Sequence, residues 1–465
     1  MGNAADDSAV RMRRVEEGIV PLGARPSENA RRISLTERMA FYAVPGVSIA
    51  VINEYQLEWA RGYGVREAGK TEPVTTESLF QVGSVSKPVA AVTALQLVCS
   101  EHLDLDEDVN HSLRSWQIPA NGTWQPRVTI RHLLSHSGGL TVHGFPGYRR
   151  DGPIPSLTHV LQGEYPANTP PIRVDTIPGT QFRYSGGGTT VLQQLLIDST
   201  GKPFPHVARE LVFEPLGMRN STYEQPLPAA HWDQAAAGHR TGGGVVEGKW
   251  HVYPEMAAAG LWTTPTDLAR LVIDIQAARA GKPHTVLSRD MVNEMLTPHV
   301  ESRGLGFALA GSGPSMRFLH GGDDQGFTCR LVAYRDRGLG AIVMTNSDEG
   351  APLLDEIMRA IAAEYDWPDY LPREPTRVLV AADMLDRYIG TYVFPLGFAL
   401  VVTRDGNGLA VQPIGQAPLI FAPESEATFF SEVVDTKLMF VTTDAGTATG
   451  VRFQQSGREI VGNRL

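Results

Sequence analysis

Residues 80–88 read Phe80-Gln-Val-Gly-Ser84-Val-Ser86-Lys87-Pro88 and run on into the largely apolar 89–97 segment. Proline is tolerated in the first turn of a helix, where its missing N–H would have no partner. A helix is therefore expected to begin near Ser84. Ser84 and Lys87, three positions apart, then share one face. A serine hydroxyl becomes a useful nucleophile when a neighbouring base takes its proton, and a lysine can be that base when burial or nearby charge lowers its pKa. The helix N-terminus adds a positive field that favours a developing oxyanion. The tetrapeptide Ser-x-x-Lys also arises by chance, with the serine a plain N-cap, so its surroundings have to carry the assignment.

Working outward, Val47-Ser-Ile-Ala-Val-Ile52 reads as a buried strand, with a turn at Asn53-Glu54 and a second strand after it. Residues 131–140 (RHLLSHSGGL) read as a short helix stopped by two glycines, and residues 142–178 as a long Pro- and Gly-rich segment of the kind that often binds ligands. Helices are expected over 189–200, 205–213, 264–281 and 351–365, and strands near 326–334 and 339–345. Three prolines within 366–375 read as a linker. Beyond it strands dominate, with Asp405-Gly-Asn-Gly408 set between two apolar runs as a hairpin turn requires. The expected division is an N-terminal arm (1–33), a main domain (34–370) and a β domain (371–465).

The 465 residues carry a formal charge of -10, with 42% hydrophobic and 20% charged residues. The acidic balance speaks against nucleic acid as a partner, since phosphate binding wants a basic face. No apolar run approaches the roughly 18 residues of a membrane span. Residues 1–18 are polar and hold no secretory leader core. The chain reads as cytoplasmic as written, or as periplasmic or secreted if a leader was removed. Cys99 and Cys329 are far apart. Cys99 is expected as a buried small hydrophobe, with a disulfide between the two left open. His132 and His136 stand four apart but lack the glutamate of H-E-x-x-H, and the segments that would mark a G-x-S-x-G hydrolase, a P-loop or a dinucleotide site are absent from the sequence. No metal and no cofactor are expected.

Residues 80–88 resemble the nucleophile segment of the serine β-lactamase, penicillin-binding-protein and family VIII esterase group. VTIRHLLSHSGGL (128–140), PGTQFRYSG (178–186), PLGMRNST (215–222), AAGLWTTPTDLARL (258–271) and His320-Gly-Gly322 resemble further segments of that group, in the same order. The resemblance covers about residues 40–365. It implies an α/β (α+β) sandwich, an antiparallel sheet flanked by helices with a helical subdomain, and a C-terminal lipocalin-like β-barrel. It also implies Ser84 as nucleophile, Lys87 as its partner, Tyr184 as a second acid or base, and His320 as a proton-transfer or substrate-binding group. Backbone N–H groups of Ser84 and Asp323 would form the oxyanion hole, with Gly186, Gly321 and Gly322 at the substrate. Two departures stand out: Gly186 takes the place of the family's usual asparagine, and His320 that of a lysine able to grip a carboxylate. Both lean away from an efficient β-lactamase. The implied function is hydrolysis of a small ester, amide or peptide through an acyl-enzyme. Acyl transfer and a non-turnover penicillin sensor are the alternatives, and a homo-oligomer is left open.

Overall fold

The 47–52 run is apolar but for Ser48, and continuous burial is what a strand covered on both faces shows. In the computed structural model it lies within β1 (Gly46–Asn53), followed by β2 (Gln56–Gly64), β3 (Ala308–Ala310), β4 (Arg317–Asp324), β5 (Phe327–Tyr334) and β6 (Gly340–Thr345). These make one antiparallel sheet in the order β2-β1-β6-β5-β4-β3. β2, at one edge, is partly exposed along its length, with Trp59 its one buried residue. The structure describes residues 4–22, 32–371, 376–395, 398–431, 434, 436–443, 446–455 and 458–465. Parts of the expected arm (1–3 and 23–31) and of the expected linker (372–375) lie outside the described residues.

Of residues 1–33, Ala4–Glu17 form helix α1. The helices that matter to the site are α2 (Ser86–Cys99), α3 (Gly186–Thr200) and α4 (Met256–Ala259), while α5 (Pro265–Arg279) and α6 (Gly350–Glu364) pack on the sheet. α5 begins as its sequence dictates: Thr264 accepts the Asp267 N–H at 3.2 Å, and Pro265 occupies the first turn. α2 is buried on nearly every side from Ser86 to Leu97. It starts two residues later than expected, because Gly83–Val85 close a 3-10 turn ahead of it. Pro88 still falls in its first turn. Cys99 is a correction to the expected burial: it ends α2 and is exposed, whereas Cys329 on β5 is buried, and both are free thiols.

Contacts divide the chain into two units, Met1–Glu17 with Ser34–Pro368 and Gly18–Ile33 with Asp369–Leu465. The second contains a closed eight-stranded barrel: β7 (Gly390–Val393), β8 (Ala399–Asp405), β9 (Gly408–Pro413), β10 (Leu419–Pro423), β11 (Thr428–Ser431), β12 (Thr436–Thr442), β13 (Ala448–Gln455) and β14 (Arg458–Arg464). β7 pairs with both β8 and β14, which closes the ring and removes free edges. Residues two apart, such as Leu400 with Val402 and Leu409 with Val411, point into its core. Asp405 faces Gly408 across a two-residue turn in which Gly406 has φ +53°. The lipocalin-like expectation thus meets a closed barrel of the matching strand number.

Candidate active site

The 3-10 turn lifts Ser84 to the floor of a cavity of about 480 Å³, lined among others by His143, Phe182, Tyr184, Arg303 and His320. Lys87, one helical turn on, is buried, and its Nζ lies 2.9 Å from Ser84 Oγ. The same Nζ donates to the Ala258 carbonyl of α4 at 2.7 Å. Ser86, between them, accepts the Leu261 N–H, so the segment after α4 is tied to the start of α2. Among the described residues no carboxylate forms an ion pair with Lys87.

The turn is docked on the end of β4, backbone against backbone. A Cβ on Gly322 would lie 1.8 Å from the Val82 carbonyl oxygen, and one on Gly83 would lie 2.6 Å from Asp323 N. Gly83 also has φ +48°, which glycine adopts without strain. Asp324 faces Phe327 across a two-residue hairpin. In such a hairpin the next pair, Asp323 with Thr328, is not hydrogen-bonded, so the Asp323 N–H turns away from β5 and toward the Ser84 turn. Gly321 lines the cavity, while Gly322 is buried and serves the close approach.

Tyr184 also lines the cavity, its ring centroid 6.4 Å from that of His320. The short helix over Ile130–Leu134 ends earlier than the glycines suggested, and His136 takes φ +55° just after it. That turn clamps the tyrosine's segment: Arg183 N–H donates to the His136 carbonyl and Ser185 N–H to His136 Nδ1. Since Nδ1 accepts, the remaining proton sits on Nε2. The Tyr184 ring is packed between His136, at 4.4 Å between centroids, and His143, at 4.8 Å. Lys87 Nζ is 5.1 Å from its centroid, a cation–π distance. Among the described residues no partner takes up the Tyr184 hydroxyl.

His320 is buried, and its Nδ1 lies 2.6 Å from the Gly321 carbonyl oxygen, which can only accept. Nε2 is therefore left as an acceptor. Burial, reinforced by the Lys87 and Arg303 charges, lowers its pKa to about 3, so the ring stays neutral in ordinary buffers. Burial, with Lys87 next, also holds His136 well below the usual histidine range. Gly186 does not line the cavity: it is buried, and its N–H donates to the His143 carbonyl. A side chain there would begin 3.0 Å from both that oxygen and the Phe145 ring. The missing asparagine thus has a packing reason, because the 143–145 loop fills its place.

His143, Phe182 and Arg303 escaped the sequence reading as site residues, and His136 was weighed there only as a metal partner of His132. His143 lies in the long 142–178 segment already marked by its composition, and Phe182 inside the 178–186 segment that carried the resemblance. Arg303 gave no signal. It is half-buried, its guanidinium carbon 4.3 Å from the Phe182 ring centroid, and no carboxylate among the described residues pairs with it.

The family model described as Beta-lactamase matches residues 34–365. The chain belongs to the beta-lactamase family. As a member of this family it is an enzyme, a hydrolase of the serine type. Penicillin-binding protein 4* of Bacillus subtilis (strain 168) is 22% identical over 435 residues, 85% of this chain and 90% of that protein. Esterase EstB of Burkholderia gladioli is 31% identical over 176 residues, 36% of this chain and 44% of the esterase. The octameric penicillin-binding protein homologue from Pyrococcus abyssi superposes with a TM-score of 0.62 at 20% identity, covering 92% of this chain and 98% of that one, a likeness of fold. Ser84, Lys87, Tyr184 and His320 all fall inside the matched segment of this beta-lactamase-family chain. Among the described residues no helix is long and apolar enough to cross a membrane.

Proposed function

We propose that this chain hydrolyses a small carboxylic ester, or a reactive amide, through an acyl-enzyme on Ser84. The observation that carries the reading is the 2.9 Å approach of Lys87 Nζ to Ser84 Oγ at the floor of an open cavity. Ser84 Oγ attacks the carbonyl carbon while Lys87 takes its proton. The tetrahedral oxyanion accepts from the Ser84 and Asp323 N–H groups. Collapse breaks the bond to the leaving alcohol or amine, which departs with a proton passed by way of Tyr184. Water then adds to the Ser84 ester, gives up a proton to the same bases, and releases the acid with Ser84 restored. His320, neutral and with Nε2 accepting, holds a donor group of the substrate.

The filled space beside Gly186 favours esters, because no side-chain amide is present there to hold an amide carbonyl. The names of the relatives, an esterase and a penicillin-binding protein, fit acyl chemistry. The arm (1–33), catalytic domain (34–370) and β domain (371–465) form part of the proposal, and every residue assigned a role lies in the second. A panel of p-nitrophenyl esters, D- and L-aminoacyl amides and nitrocefin tests the substrate class. Ser84→Ala is expected to abolish turnover while leaving the unfolding temperature unchanged. Retained turnover in that variant sinks the assignment. Intact-mass measurement during turnover is expected to show a transient acyl adduct on the wild type. A stable adduct without product would favour a sensor, and product diverted to an added amine would favour a transferase.

A further inference from the structure

Asp324, the last residue of β4, is buried, and its Oδ2 accepts the Gly83 N–H at 3.1 Å. The two residues it links are each one step from an N–H of the proposed oxyanion hole: Gly83 precedes Ser84, and Asp324 follows Asp323. We propose that Asp324 is a positioning residue that fixes the spacing of the Ser84 and Asp323 N–H groups by clamping the nucleophile turn to β4. The inference rests on the acyl-transfer reading and concerns the alignment of that site.

The contact at this junction is otherwise one of bare backbone. Cβ atoms built on Gly83 and Gly322 would strike the facing chain at 2.6 and 1.8 Å. Such contact sets how close the two segments come. It does little to stop one sliding along the other, because dispersion between atom pairs is weak and non-directional. A hydrogen bond is directional. Among the described residues, Gly83 N–H to Asp324 is the one side-chain hydrogen bond that crosses from the turn to β4. Behind it, the Tyr253 hydroxyl accepts the Gln325 N–H at 3.0 Å and lies close enough to favour the ionised carboxyl, while Asp324 Oδ1 has no hydrogen-bond partner among the described residues. The charged groups around it are Lys87, which favours its ionised form, and Asp323, which opposes it. Burial outweighs both and holds the carboxyl well above the usual carboxylate range. A neutral carboxyl still accepts the Gly83 N–H, so the clamp needs an acceptor oxygen rather than a charge.

Oxyanion donors act at about 2.7–3.1 Å from where the negative oxygen forms, and a misplacement of about 1 Å costs about 10²-fold. Asp324→Leu keeps the bulk and removes the acceptor. Asp324→Asn keeps an acceptor in the same place. In the full-length protein, active sites are counted by stoichiometric labelling with a fluorophosphonate, and kcat per labelled site is then measured on a p-nitrophenyl ester. The expected result for Asp324→Leu is a fall in kcat of about 10²-fold with KM nearly unchanged. Inhibition by phenylboronic acid, whose serine adduct carries a tetrahedral anion, weakens in parallel. Asp324→Asn is expected to recover both to within about tenfold of wild type. Asp324→Ser, whose hydroxyl stops short of Gly83, serves the same comparison should the leucine variant not fold. A residue with a purely structural role would lower the unfolding temperature and the labelled fraction, but leave kcat per site and boronate affinity as they were. That outcome overturns the proposal. Failure of the wild type to label on Ser84 would instead overturn the acyl-transfer reading itself.

Discussion

Glu255 offers a measurement whose size follows from its surroundings. Its carboxyl is fully buried just before α4, the helix whose Ala258 carbonyl holds Lys87. Oε1 receives a long hydrogen bond of 3.4 Å from the Tyr148 hydroxyl, and Oε2 has no partner among the described residues. Burial pushes its pKa from an ordinary 4.5 up to about 7, with its own backbone N–H and Tyr148 pulling weakly the other way. Between those two values the folded protein keeps a proton that the unfolded chain has lost. Stability from this group is therefore complete below pH 4.5 and declines as the pH rises through 7. At about 1.4 kcal/mol per pH unit the decline comes to about 3 kcal/mol. Glu255→Gln imitates the protonated acid at every pH. Urea unfolding of both proteins, followed by tryptophan fluorescence, is expected to show a stability gap in favour of the glutamine variant. That gap widens by about 3 kcal/mol between about pH 4 and pH 8.5. His320, whose depressed pKa weakens folding as the pH falls, is present in both proteins and drops out of the difference. A gap that stays constant across this range would mean that Glu255 is solvated or paired in the folded state and that burial does not hold its proton.

Lys87→Met removes the group nearest Ser84 Oγ and is expected to lower kcat on a chromogenic ester by about 10²–10⁴-fold, while the folded state remains by circular dichroism. Arg303 has no carboxylate partner among the described residues and lines the cavity. Arg303→Met is expected to raise KM about tenfold for esters bearing a free carboxylate and to leave neutral esters unaffected, as initial-rate kinetics would read. With its pKa near 3, His320 should contribute no limb to the pH–rate profile around neutrality. His320→Gln and wild type are expected to share the same acid limb of kcat/KM, and a limb near 6.5 lost in the variant would contradict the burial argument.

Much of this molecule is written in local pattern. The unbroken apolar text of 47–52 names a strand covered on both faces, and Thr264-Pro265 and Gly281 bracket a helix that ends within two residues of that glycine. Asp405-Gly-Asn-Gly408 names its hairpin outright. Ser84 and Lys87 were legible because three-residue spacing alone brings them together. The same logic failed by two residues at the helix start, where a 3-10 turn intervenes, and at Cys99, where the last helical turn leaves the core.

The elements and the serine–lysine pair follow from near-neighbour pattern, because helix and strand periods and short spacings act over a few residues. What surrounds them is set by the folded chain. His136 and His143 reach Tyr184 across about 40 to 50 positions of chain. Asp324 reaches Gly83 across 241 positions, and Ala258 reaches Lys87 across 171. Phe145 fills the space beside Gly186, and burial, not composition, sets the protonation of His320, Glu255 and Asp324. Hydrogen bonds and desolvation act over a few ångströms in space, so the sequence interval between two groups carries no information about them until the chain has folded.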